Sequence, residues 1–309
     1  MMQPQKGVCA EPSLHAQYLL FNVVDEDPQV LREKLSRILD IFDDYENDYF
    51  EAMVTGLIAI GAGFWDELYP ESRPAQLTAF PKMECEDRSA PDTGGDIFIQ
   101  IRADRLDVCH AIANEIMDLL HLHVELQEQV QGFRYLDGRD LNGFVYGAEN
   151  PRGMLRRQVA VVSGEIEPGF EGGSYMHIQR YRYDLRRWKS LSNRQQEQVI
   201  GKTRQHNTDS DEQSASSHCV RARAMLPAAV PGNETPTLVK QGMPYGNVIL
   251  QGLFFVSCAA SGKAFENMLH NQVTGNEDGD YDRWLDFASA ETGGAFFAPA
   301  IGFIRQHAC

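Results

Sequence analysis

The chain of 309 residues, 43% hydrophobic and 23% charged, has the composition of a folded globular protein, and at roughly 100–200 residues per domain it makes one large domain or two modest ones. Its 28 Lys and Arg stand against 44 Asp and Glu, a formal charge of −16 with no long run of one sign, which argues against a nucleic-acid backbone or an anionic membrane as partner. No run of about 18 apolar residues predicts a transmembrane helix, no basic-then-apolar start predicts export, and six scattered cysteines, Cys9, Cys85, Cys109, Cys219, Cys258 and Cys309, predict free thiols in a cytoplasmic protein in place of a disulfide or zinc framework.

His15–Val24 reads as a strand, and Asp27–Phe42, opening on Asp-Pro with apolar residues at helical spacing, as a helix. A second apolar run, Val54–Phe64, precedes the Pro/Glu/Asp-rich stretch Tyr69–Gly95. Asp96–Ile101 then reads as a strand, Leu106–Leu122 as a helix and Val124–Tyr135 as a closing strand. The order β-α-β-β-α-β is that of a ferredoxin-like unit, an antiparallel sheet with its helices packed on one face.

Beyond the Gly/Asn/Pro cluster Gly143–Gly153 the rhythm restarts, with a strand at Gly173–Tyr181 and a helix at Asn193–Lys202. After the polar stretch Thr203–Ser217, extended segments are expected around Val220–Met225 and Leu238–Met243, and a strand at Gln251–Cys258 feeds a helix at Lys263–Val273. The fold class expected is α+β: two ferredoxin-like units, over residues 1–145 and 146–309, of the dimeric α+β barrel type.

Nine histidines are present, and a lone histidine is more often a surface or hydrogen-bonded core residue than a ligand. His121 and His123 would face different sides of a helix, and His206 lies in a polar loop. His218 stands apart because it follows Ser216-Ser217 where the long polar loop turns into an arginine-bearing segment, Cys219-Val220-Arg221-Ala222-Arg223.

Ser217-His218-Cys219-Val220-Arg221 occurs together with Leu141-Asn142-Gly143-Phe144-Val145-Tyr146-Gly147-Ala148-Glu149-Asn150-Pro151, Gly172-Gly173-Ser174-Tyr175, Gln179-Arg180-Tyr181, Met243-Pro244-Tyr245-Gly246, Gly252-Leu253-Phe254-Phe255 and Thr292-Gly293-Gly294-Ala295-Phe296-Phe297-Ala298-Pro299. In this order the motifs resemble the dye-decolorising peroxidase family of haem enzymes, most of all its bacterial cytoplasmic B-type branch, over nearly the whole chain. The resemblance implies haem b (iron protoporphyrin IX) in the C-terminal unit, hydrogen peroxide as co-substrate, a small organic molecule as the one oxidised, and a homo-oligomer. It further implies His218 as the proximal iron ligand and Asp282, in Tyr281-Asp282-Arg283-Trp284, as the carboxylate that accepts the ring's other N–H. Arg221 resembles the propionate arginine, Gln179 and Arg180 resemble further propionate-side contacts, and Leu253 and Phe255, which alternate with Phe254 on a strand, are expected to line the haem pocket, a pattern that plain core packing would also produce. The Phe303–Cys309 segment shows no Gly/Leu-rich docking tail, so an encapsulin shell is not an expected partner.

The sequence departs from the family on the distal side. Where the family has Gly-x-x-Asp-Gly, whose aspartate helps move the peroxide proton, Tyr146 stands in the aspartate's place. Lys240 stands where the family has an arginine, and Gly242 where B-type members often have Asn or Ser. A flexible ammonium is a point charge and does not replace a planar fork. The Tyr146 phenol admits three readings: hydrogen-bond donor to a small ligand, phenolate ligand of ferric iron, or space filler. Lys240 is the cation expected to lower its pKa. Asp137 and Asp140 could be suspected of replacing the lost carboxylate, and structural roles are expected for both. The leading reading is a haem oxidoreductase with weak or altered peroxidase chemistry. The alternatives are a non-peroxidase haem enzyme, a lyase or one of nitrogen–oxygen chemistry, and a haem storage or sensing protein.

Overall fold

The computed structural model describes residues 2–24, 27–223, 225–226 and 235–308. In the N-terminal half, strands β1 (His15–Val23), β2 (Thr55–Gly61), β3 (Ile97–Ala103) and β4 (Val124–Phe133) alternate with helices α1 (Pro28–Asp48) and α2 (Leu106–Leu120). Asp27 caps α1 by accepting the Gln29 N–H, and Pro28 sits where no helical N–H is needed. Leu31, Leu35, Ile38, Leu39 and Phe42 follow at 3.6-residue spacing and bury one face. The antiparallel strand order β4-β1-β3-β2 is that of a ferredoxin-like sheet. Its outer face packs on α1 and α2 through Leu19, Phe21, Ile58, Ile99 and Ile101.

The C-terminal half repeats the plan with β5 (Ser174–Tyr183), α3 (Asn193–Ile200), the short turn of helix α4 (His218–Arg221), β6 (Met243–Gly246), β7 (Gln251–Ala259), α5 (Lys263–Val273) and β8 (Gly294–Ala298), before a final helix α6 (Ile301–Gln306). Its strand order, β8-β5-β7-β6, is again ferredoxin-like. The two sheets join at both edges, β8 to β2 through Phe296↔Gly61 and β6 to β4 through Tyr245↔Gly132, so eight strands close into a barrel with no free edge between the halves. Inside the barrel Tyr18, Phe98, Met176, Ile178, Phe254 and Phe296 form one cluster, with Phe254 stacked on Tyr18 at 4.3 Å.

Two expectations change. The Val220–Met225 segment begins as the helical turn α4, because the Val220 and Arg221 N–H groups return to the Ser217 carbonyl; residue 224 lies outside the described residues. The stretch Tyr69–Gly95 carries a small hairpin, Met83–Cys85 with Arg88–Ala90, that packs on α5. Among the described residues no helix is long and apolar enough to cross a membrane.

Removing the Phe254 ring from the barrel interior should leave a cavity that paired strands cannot collapse. Phe254→Ala is expected to cost about 3–5 kcal/mol of stability, measured by urea unfolding; a loss under about 1 kcal/mol would mean the barrel interior repacks freely.

Candidate active site

Strand alternation builds one wall of the site. On β7, Phe254, Val256 and Cys258 point into the barrel while Leu253 and Phe255 point outward. On the paired strand β5, Phe255 lies opposite Gln179 and Leu253 opposite Tyr181. Gln179, Tyr181, Leu253 and Phe255 therefore share the outer face, where they line a cavity with Ile200 of α3, His218 of α4 and Met268 of α5.

His218 enters this cavity half-buried, from the first position of α4. Its Nδ1 lies 2.7 Å from Asp282 Oδ2. Asp282 is fully buried and also accepts hydrogen bonds from Gln272 Nε2 at 2.7 Å and the Trp284 backbone N–H at 3.0 Å. Burial pushes the Asp282 carboxyl up, but the His218 imidazole and these donors outweigh it and hold the group below the usual carboxylate range. A charged Asp282 fixes the proton on Nδ1, and His218 Nε2 is left without a protein partner among the described residues.

Opposing features of the same cavity come from the loop before β5. Gly143 and Gly147 adopt left-handed backbone, φ 92° and 68°, which lets the chain turn on either side of Tyr146. The Tyr146 hydroxyl is buried and makes no full hydrogen bond. Burial, then the nearby Glu149 and Asp140 carboxylates, raise its pKa well above the ordinary phenol value. The ring is therefore a neutral phenol. Lys240 does not lower it, because Lys240 Nζ is held by Glu149 Oε1 at 2.7 Å and the Ala222 carbonyl at 3.1 Å. The Lys240 ammonium in turn holds Glu149 down at about 2. Gly242 completes this wall: a Cβ there would come within 2.8 Å of both the Tyr146 hydroxyl and the Phe254 carbonyl oxygen.

The structure thus brings together Tyr146, Gln179, His218, Lys240, Leu253 and Phe255 around one cavity, with Asp282 directly behind His218. It does not bring Arg180 there. Strand alternation turns Arg180 to the face opposite Gln179, where it pairs with Glu128 at 2.6 Å and Glu291 at 3.1 Å. Nor is Arg221 in the lining; its Nε donates to the Ala215 carbonyl at 2.6 Å and its Nη2 lies 3.5 Å from Asp280.

With this geometry in place, comparison with known proteins is decisive. The Dyp-type peroxidase N-terminal family model matches residues 5–134 and the C-terminal one residues 137–303. The chain belongs to the Dyp-type peroxidase family. It is accordingly an enzyme of the haem peroxidase class. A dye-decolorizing peroxidase of Mycolicibacterium paratuberculosis is 33% identical over 98% of this chain and 85% of that relative. A Shewanella oneidensis structure described as of the Dyp type superposes with a TM-score of 0.94 at 41% identity over 99% of each chain. A variant of Rhodococcus jostii RHA1 DypB, solved in complex with heme, gives 0.91 at 31% identity over 98% of each chain.

In this Dyp-type peroxidase Asp140, for which a structural role was expected, also borders the cavity. The residue is 4% exposed and lines the same cavity as Tyr146 and His218. It accepts from the Tyr183 hydroxyl and the Leu141 N–H, which only partly offset burial, so its pKa is raised to about 6. The signal was available only as an acidic residue beside a motif, and nothing in its spacing tells a solvated carboxylate from a buried one.

Because the folded chain holds the Asp140 proton more tightly than an unfolded carboxyl at 3.8, ionisation of Asp140 weakens the fold as pH rises from 3.8 to about 6, with no further loss above that window. Asp140→Asn should remove this component, so the variant gains on the parent protein across that range. A constant gap between the two urea-unfolding free energies from pH 4 to pH 7 would show that Asp140 titrates normally.

Proposed function

We propose that this member of the family is a haem b peroxidase in which His218 is the axial ligand, Asp282 orients it, and the altered wall of Tyr146, Lys240 and Gly242 makes peroxide-dependent oxidation of a small organic substrate slow. The observation that carries the reading is the His218–Asp282 pair: one ring nitrogen tied at 2.7 Å to a buried carboxylate, the other without a protein partner at a cavity. The surrounding residues suit a haem. Leu253, Phe255, Ile200 and Met268 supply apolar walls, and two buried polar atoms, Gln179 Nε2 and the Tyr146 hydroxyl, lack protein partners. Gln179, Leu253 and Phe255 are assigned as haem contacts; Arg180 and Arg221, committed to carboxylates elsewhere, are not. The bound haem would supply the one-electron redox chemistry that no side chain here can provide.

The chain's own residues decide how well peroxide is handled. Asp282 keeps the proton on His218 Nδ1 and makes the imidazole a stronger donor through Nε2. Tyr146, a neutral phenol with a raised pKa, can donate a hydrogen bond but does not accept the peroxide proton near neutral pH. Lys240 brings a charge already balanced by Glu149. A missing acid–base group costs typically ~10²–10⁴-fold in rate, and a missing electrostatic donor costs roughly as much. The unpartnered Tyr146 donor also favours a second reading, a haem protein whose small ligand is not peroxide. The cytoplasmic location and homo-oligomeric state implied by the family resemblance belong to the same proposal.

Asp282→Asn should raise the iron reduction potential of the haem-loaded protein, read by spectroelectrochemistry, because the ligand loses electron-donating character. An unchanged potential would remove Asp282 from the role. Replacing Tyr146→Asp together with Lys240→Arg should increase peroxide-dependent dye oxidation well beyond either single change, since both groups serve one bond-breaking step. If the unaltered protein already turns over dye as fast as that double variant, the slow-turnover reading fails; if no variant uses peroxide while all bind haem, the second reading stands.

A further inference from the structure

Tyr146, Val145 and Lys240 border a second cavity as well as the one at His218. Its lining carries six basic side chains, Arg102, Arg134, Arg139, Arg152, Arg156 and Lys240, and Asp137 is the single acidic one among the described residues. Two of these charges are answered: Asp137 pairs with Arg139, and Glu149 with Lys240. Arg134 and Arg152 are exposed to solvent.

Arg102 and Arg156 are different, being 3% and 5% exposed. Arg102 projects from β3 and donates from Nε to Ser13 Oγ at 3.1 Å and from Nη1 to the Gln241 carbonyl at 3.1 Å, both neutral acceptors. Its Nη2 has no protein acceptor, and no carboxylate reaches the group among the described residues. Arg156 is held by the backbone carbonyls of Cys9, Ala10 and Pro151. The one carboxylate near it, Glu11, lies 3.8 Å away on a side chain that is 69% exposed. Burial, and then the nearby Arg156 guanidinium, disfavour the charge on Arg102. A chain of net charge −16 thus keeps two buried cations at one cavity without a buried anion between them, an arrangement that is costly unless something supplies the counter-charge.

We propose that this cavity is a binding site for a small carboxylate anion, recognised by Arg102 and Arg156. A planar two-oxygen anion matches the guanidinium fork, and the free Arg102 Nη2 is the unused half of such a fork. The site takes small organic acids beside the Tyr146 wall, and it does so whether or not haem occupies the first cavity. Inorganic oxyanions share the chemistry of charge and oxygen acceptors, and are separated from carboxylates by the shape of the response.

The test is isothermal titration calorimetry of the haem-loaded protein with sodium acetate, sodium benzoate and sodium sulfate, each against sodium chloride at constant ionic strength, with the Soret band followed in parallel. A saturable response to a carboxylate, one site per chain, with an unmoved Soret band is expected. Arg102→Gln should weaken it at least tenfold. Should that variant fail to fold, Arg156→Lys, which keeps the charge but loses the fork, carries the comparison and should also weaken binding. No saturable heat with either carboxylate, tighter binding of sulfate than of both, a Soret shift that tracks the heat and so places the anion on the iron, or unchanged affinity in the folded variants would each overturn the proposal.

Discussion

The pairing of β5 with β7 is the constraint on which the site depends. Because Phe255 faces Gln179 and Leu253 faces Tyr181 in this register, one set of side chains reaches the barrel core and the adjacent set reaches the cavity. A slip of one residue would exchange them, sending Phe254 out and Gln179 in. Closure protects the register, since β5 is held on its other side by β8 and β7 by β6, and those strands are tied in turn to the N-terminal sheet. The N-terminal half contributes no residue to the His218 pair, yet it fixes the edges between which that pair is held.

Three buried acid or base groups near this wall show how partners, more than depth, set protonation. Asp282 is completely buried and stays low because His218, Gln272 and the Trp284 N–H all satisfy its charged form. Asp140 is buried nearly as deeply with fewer donors and rises to about 6. His177, stacked on Phe265 at 4.3 Å with burial alone acting on it, falls to about 3 and remains a neutral core residue. The three environments separate a charged orienting group, a carboxyl near neutrality and an inert ring.

Much of this was legible in the sequence, for identifiable reasons. The N-terminal ferredoxin-like half follows from hydrophobic period and element order, and in the C-terminal half the ends of α5 fall where the apolar spacing places them, while the closing strand β8 was not read as one. His218 was marked by its setting in several ordered motifs. What escaped is what periodicity does not encode. The barrel type was expected, but not which edges join, because contacts such as Tyr245↔Gly132 lie far apart in the chain. Gln179 and Arg180 were read as neighbours with one task, although adjacent strand residues face opposite ways. The four-residue helix at His218–Arg221 is too short for a helical period to show. Arg221 carries a charge whose partner, Asp280, lies in a segment that only the fold brings near.

The wall of Tyr146, Lys240 and Gly242 is held together by packing. Tyr146, Lys240 and Gly242 are not three independent positions. A Cβ at position 242 would meet the Tyr146 hydroxyl and the Phe254 carbonyl at 2.8 Å and the Phe255 Cα at 3.0 Å. The bulk of Tyr146 and the bareness of Gly242 are thus complementary, and the backbone of β7 closes in on the same space. An Asn or Ser at 242 would need the Tyr146 hydroxyl to move and β7 to shift as well, in a closed barrel where β7 is paired on both sides. Lys240 is fitted to the same arrangement, its ammonium drawn to Glu149 and the Ala222 carbonyl. The close packing and the balanced Lys240–Glu149 pair make the wall one packed unit, in which the Tyr146 phenol is a polar group left without a partner.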